Sequence, residues 1–165
     1  HFFASPEPLS YSRLKELKYL DACMKETARQ FFTILLVRRA RRATRVGSFT
    51  IPAGRLIGVS PILLHRDAQI YPQPEVYLPE RWLDDARRRE LTGRNLFVQF
   101  GYGQHRCLGE MFANTVLKTA WSLLLRDYRL TLLEREPQPD WTKAVGTPFS
   151  KGPLLLRCEP RLPSA

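Results

Sequence analysis

The sequence predicts a mainly α fold with small β-sheets, an α+β class, on three observations. Residues 14–30 and 108–125 repeat apolar side chains at helical spacing with charged ones between them. Residues 31–60 are rich in β-branched and aromatic side chains, cut by Gly47-Ser48 and by Pro52 and Gly54. Residues 128–160 alternate loosely between prolines, the pattern of short terminal strands. At 165 residues, one domain with a core of useful size is expected.

Taken in order, residues 1–13 are polar, carry Pro6 and Pro8, and read as a surface loop. The helix over 14–30 places Leu17, Leu20, Cys23, Met24 and Thr27 on one face, the expected core side. Phe31 to Val37 is the longest apolar run, interrupted by Thr33; it reads as a strand and is far too short to span a membrane. A hairpin-like unit follows, with a tight turn at Gly47-Ser48 and a strand over Leu56–Val59. His65-Arg66-Asp67 is expected to begin a helical turn. A proline-spaced loop then leads to Arg81, and the PERW and meander region spans 72–96, with 83–96 read as charged, irregular and mobile. The helix over 108–125 carries Phe112, Val116, Leu117, Ala120 and Leu124 at core spacing.

The chemistry lies in FGYGQHRCLG, residues 100–109. Glycines at 101, 103 and 109 allow sharp turns and close approach to a flat ligand, since they lack Cβ and tolerate positive φ. Amide N–H groups near a helix start stabilise negative charge, so a thiolate is expected at Cys107. A lone thiolate beside a planar space suits an axial haem ligand; the plainer reading is a small buried cysteine before an ordinary helix. Upstream, Glu26 and Arg29 form E-x-x-R, a spacing that puts both on one helix face. Alone, that pattern is a surface ion pair worth under about 1 kcal/mol. Cys23 reads as core packing and Cys158 has no assigned role; no paired metal spacing or disulfide framework connects the three cysteines, which fits a reducing, intracellular setting.

The 100–109 segment resembles the haem loop of the cytochrome P450 superfamily, the haem-thiolate monooxygenases, with Phe100, Gly103, His105, Cys107 and Gly109 in the family's anchor positions. The resemblance covers nearly the whole chain and matches the C-terminal portion of the cytochrome P450 fold, so the chain reads as a fragment of a larger protein. It implies that Cys107 is the proximal iron ligand of haem b and that Phe100 packs beside its sulfur. Gly101, Gly103 and Gly109 would shape the cradle, and His105 would reach a haem propionate. Arg81 of PERW joins Glu26 and Arg29 in a structural Glu–Arg–Arg network, and Arg39, ten residues past Arg29, takes a second propionate role, with Arg38 the adjacent fallback. Substrate contacts are expected from Thr33 to Val37 and from Gly146 to Phe149. The oxygen-binding helix with its acid–threonine pair is missing, so the piece alone is expected to be inactive. DACMKETARQ, VSPILLHRD, HRCLGEMFANTVLKTAW and DWTKAVGTP look similar to the sterol 14α-demethylase branch, which implies a sterol or other lipophilic substrate.

Net charge is +10, with the densest cluster at Arg38, Arg39, Arg41, Arg42 and Arg45. As a bare pattern this is a nuclear-localisation or phosphate-binding patch; the resemblance points away from nucleic acid. Arg106 and Lys118 would instead dock an acidic electron donor, a reductase or ferredoxin, on the proximal face. The resemblance also implies a parent anchored to the endoplasmic reticulum membrane by an N-terminal segment absent here. Two other readings stay open: a haem-thiolate peroxidase or isomerase, and a non-enzymatic truncated product or basic binding module.

Overall fold

The computed structural model describes residues 9–31, 35–133, 138–140, 142 and 149–161. Helices α1 (Tyr11–Glu16) and α2 (Lys18–Phe31) come first, followed by strands β1 (Leu36–Arg39), β2 (Thr44–Val46), β3 (Phe49–Ile51) and β4 (Leu56–Val59). Then come α3 (Pro61–His65), a 3-10 turn at Pro79–Trp82, α4 (Asp85–Gly93), a 3-10 turn at Gly103–His105 and α5 (Glu110–Asp127). Strands β5 (Tyr128–Leu132), β6 (Pro139–Asp140), β7 (Phe149–Ser150) and β8 (Leu156–Pro160) close the order. The strands pair antiparallel in twos: β1 with β4, β2 with β3, β5 with β8 and β6 with β7. This is the mixed, helix-rich architecture that the sequence predicts, and no helix of the described residues is long and apolar enough to cross a membrane.

Helix 14–30 is two helices. Ser10 Oγ caps α1 by accepting from the Arg13 amide at 3.4 Å, and Leu17, at φ −77° and ψ 61°, breaks the spiral. In α2 the deeply buried face is Ala22, Glu26, Arg29 and Gln30. The expected apolar face is only half-buried at Leu17, Leu20, Cys23 and Met24, and Thr27 is exposed. Helix α2 therefore turns a polar stripe inward, which requires partners for every polar atom on it.

Within 83–96, Asp85–Gly93 form a helix rather than an irregular meander. Asp84 Oδ1 accepts from the Ala86 and Arg87 amides at 2.8 and 3.1 Å, an N-cap. Asp85–Arg88, Arg87–Glu90 and Glu90–Arg94 then pair along the helix at 2.6, 2.5 and 2.9 Å. The one apolar anchor, Leu91, is fully buried with Ala22, Tyr71 and Trp82, and Ile70, Leu96 and Phe97 pack around them. Helix α3 likewise ends at His65 instead of starting there, because Pro61 presets its first turn.

The hairpin expectation is met at Gly47, whose φ of +58° makes the β2–β3 turn. Strand β4 covers Leu56–Val59 and pairs with β1 in the register Leu36↔Val59 to Arg39↔Leu56. Residues 32–34, the centre of the expected strand from Phe31, lie outside the described residues, and Phe31 itself ends α2. Helix α5 starts two residues later than expected. Its supposed core side chains Phe112, Val116, Leu117 and Leu124 are exposed among the described residues, and Ser122 is its buried position. Cys158 sits in β8 opposite Leu130, exposed.

Candidate functional site

The loop from Val98 to Gly109 is held by its own backbone. The Gly101 amide donates to Val98 O at 3.1 Å, the Arg106 amide to Gly103 O at 3.1 Å, and the Cys107 amide to Phe100 O at 2.8 Å. The last bond closes the loop and fixes the cysteine relative to Phe100. Gly101 has φ +77°, and a Cβ there would stand 3.3 Å from His105 O, so glycine is required. Gly103 has φ +65°. Gly109 does not use positive φ; it caps α5 at φ −82°, and a Cβ there would lie 3.7 Å from Cys107 Sγ. Cys107 is exposed rather than buried filler, and its sulfur makes no hydrogen bond among the described residues. Phe100 is half-buried and His105 exposed.

Below the loop lies a fully buried carboxylate, Glu26. Its Oε2 accepts from Arg29 Nε at 3.0 Å and from Trp82 Nε1 at 2.9 Å. Its Oε1 accepts from Arg29 Nη2 at 2.9 Å, the Leu78 amide at 3.0 Å and Arg81 Nε at 3.1 Å. The remaining guanidinium donors are used too. Arg29 reaches His65 O at 2.7 Å and Pro74 O at 2.8 Å, while Arg81 reaches Pro72 O at 3.1 Å and Gln73 O at 3.3 Å. Arg81, distant in sequence, thus meets the Glu26–Arg29 pair in one cluster. Burial alone would push the Glu26 carboxyl up, but hydrogen bonds from Arg29, Leu78 and Trp82 outweigh it and hold it below the usual carboxylate range.

Trp82 and His65 belong to this cluster and were not singled out by sequence reasoning. Trp82 had a visible signal: a buried indole N–H needs an acceptor, and it directly follows Arg81. Trp82→Phe keeps the ring packing against Phe97 (centroids 4.7 Å apart) while withdrawing one donor from Glu26. We expect it to lower stability by about 1.5–3 kcal/mol, the range for a hydrogen bond to a charged group. A urea midpoint shared with the wild type would contradict that. His65 is fully buried, stacked on Phe97 at 5.2 Å, and its Nε2 accepts from the Val98 amide at 3.2 Å. Burial, then the Arg29 charge, pushes its pKa down to about 4. Because the folded value lies below the unfolded value near 6.5, stability from this group is complete above pH 6.5 and declines as pH falls towards 4. The loss approaches about 3 kcal/mol. Urea titrations across that window check it, and His65→Gln should flatten the dependence.

Beside Cys107 is an open cavity of about 580 Å³, bordered by Tyr11, Leu14, Arg106, Leu108, Met111 and Lys118. The two expected docking cations are engaged within the chain: Arg106 pairs with Glu110 at 2.6 Å and Lys118 with Asp21 at 2.6 Å. Arg39 stands on β1 and donates to Gly54 O at 2.9 Å, with no hydrogen bond to the cysteine loop. Of the expected substrate segments, Leu35 and Val37 are exposed; Thr33, Ile34 and residues 146–148 lie outside the described residues.

The residues present fit a haem. Among the described residues no three His, Cys, Asp or Glu side chains gather to hold a bare ion. A single accessible thiol suits a metal whose other ligands come from a macrocycle. The glycine-lined loop and the exposed Leu108 and Met111 offer open and apolar surface next to the sulfur.

The family model for "Cytochrome P450" matches residues 2–156. The chain belongs to the cytochrome P450 family. Lanosterol 14-alpha demethylase from Homo sapiens is 38% identical over 144 residues, covering 86% of this chain and 28% of that protein. Sterol 14-demethylase from Arabidopsis thaliana is 32% identical over 162 residues, covering 94% of this chain and 33% of the relative. Among solved structures, retinoic acid-bound cyanobacterial CYP120A1 superposes with a TM-score of 0.80 at 26% identity, over 93% of this chain and 35% of that one. This P450 chain thus spans about a third or less of the length of these relatives. Within that span the fold is the P450 fold, small sheets included.

Proposed function

We propose that this chain is the haem-holding part of a haem-thiolate monooxygenase that inserts one atom of dioxygen into a lipophilic substrate, a sterol being favoured. The observation that carries the reading is Cys107: an exposed thiol, free of hydrogen bonds among the described residues, on a loop closed by its own backbone bonds. Cys107 would bind the iron as thiolate, with Phe100 beside it and Gly101, Gly103 and Gly109 leaving room for the macrocycle. His105 and Arg39 would reach the propionates. Haem, when bound, would supply the one-electron and dioxygen chemistry, with Cys107 holding it as thiolate.

The remaining work of this chain is positional. The Cys107 amide bond to Phe100 O keeps the sulfur in one place, and the Glu26 cluster fixes the helix, proline loop and PERW turn as one unit. An electron-donor protein would approach the face carrying Lys15, Arg106 and Lys118, exchanging the exposed Arg106–Glu110 pair for contacts with its own carboxylates. The sterol preference is supported by the demethylases named among the relatives. Kinship with those enzymes also supports anchoring of the whole protein at the endoplasmic reticulum membrane.

The test uses the full-length gene product with reductant, a sterol and isotopically labelled dioxygen. A monooxygenase places one labelled atom in the product and the other in water. Product formed with peroxide but none with dioxygen and reductant indicates a peroxidase. Rearranged product with no label from dioxygen indicates an isomerase. Either outcome replaces the monooxygenase reading.

A further inference from the structure

One buried side chain has no part in the haem chemistry above. His65 ends α3 and acts at two points: its carbonyl accepts from Arg29 Nη1 at 2.7 Å, and its Nε2 accepts from the Val98 amide at 3.2 Å. Val98 O accepts from the Gly101 amide at 3.1 Å, and Phe100 O from the Cys107 amide at 2.8 Å. A single residue therefore joins the Glu26–Arg29 cluster to the stretch of backbone that carries Cys107. Tyr71 reinforces the same junction, its hydroxyl donating to Leu96 O at 2.8 Å.

Because Nε2 faces an N–H donor, it is the unprotonated ring nitrogen, and the proton stands on Nδ1. Nδ1 has no hydrogen-bond partner among the described residues. A buried donor without an acceptor is destabilising. Phenylalanine would fill the space between Phe97 and Tyr71, 5.2 and 6.0 Å from the imidazole, without that cost. What histidine provides and an apolar side chain cannot is an acceptor for the buried Val98 amide. We propose that His65 is a positioning residue for the iron ligand, its neutral ring tying the entry of the cysteine loop at Val98 to the Glu26–Arg29 cluster. The inference rests on the reading of Cys107 as the haem ligand, and it acts through Val98 without contact to haem.

The full-length, haem-loaded protein provides two tests. Imidazole nitrogen shifts of the wild type in the ferrous carbonyl state should show His65 protonated on Nδ1 alone; a proton on Nε2 overturns the proposal without any variant. In His65→Phe, the Val98 and Gly101 amides should exchange about tenfold faster, the effect of one lost hydrogen bond, while α2 amides keep their protection. The thiolate-type fraction of the carbonyl spectrum should fall severalfold, and His65→Gln, which offers an amide oxygen near the position of Nε2, should restore both. Unchanged exchange overturns the proposal, as does faster exchange with an unchanged spectrum, which would make His65 packing only. If His65→Phe does not fold, the wild-type tautomer and amide exchange in His65→Gln decide the matter. A wild type that lacks the thiolate-type spectrum refutes the haem reading instead, while the tautomer and exchange still report on the Val98 bond.

Discussion

Glu26→Ala is expected to yield almost no folded, haem-loaded protein. The carboxylate takes five hydrogen bonds, two of them from Arg29 and one each from Arg81, Trp82 and the Leu78 amide. Arg29 is fully buried and the Arg81 side chain nearly so, at 8% exposure. Removing their counter-charge leaves two largely buried cations held by backbone carbonyls alone, a change that costs about 3–5 kcal/mol for a single broken pair. The orphaned indole and amide donors add about 1–3 kcal/mol each. Against a total stability of about 5–15 kcal/mol, that sum is comparable with the whole. Glu26→Gln keeps the shape and one acceptor oxygen but not the charge, so its stability should fall between the two. Urea midpoints and haem content of the purified full-length variants measure the series. Normal yield and haem content in Glu26→Ala would refute the structural role of the cluster.

The reach of sequence reasoning follows from where each partner sits along the chain. Local signals were legible: Gly47-Ser48 makes its turn, Leu56–Val59 makes its strand, and the loop glycines at 101 and 103 adopt positive φ. The Glu26–Arg29 pair was legible because three residues of helix bring the two together. On the inward polar face of α2, Arg81 was named only through the family resemblance, and Leu78 and Trp82 were missed, since all three lie more than fifty positions away. Helix α4 was hidden by its own charge: its ladder of ion pairs reads as a solvated run unless the Asp84 cap and the single anchor Leu91 are weighed together. His65 offered no pattern at all. Its meaning appears only when the Val98 amide is found facing Nε2. Gly109 carries the reverse lesson, for its value lies in the missing Cβ beside the sulfur rather than in a special φ.

Cys107→Ala should have the second large effect, and one of a different kind. The side chain is exposed and makes no hydrogen bond among the described residues, so its loss should change stability by no more than about 0.5 kcal/mol. Its backbone amide still closes the loop on Phe100 O, and the Glu26 cluster is untouched. What disappears is the sulfur that would donate to iron, and with it the electronic signature of a thiolate ligand. A folded protein that has lost this signature separates ligation from architecture, which Glu26→Ala cannot do. The deciding measurement is the reduced carbonyl spectrum of the full-length protein with and without Cys107. The account predicts the red-shifted Soret band of a thiolate-ligated haem in the wild type and its complete absence in a folded Cys107→Ala; the same band at equal strength in both would contradict it.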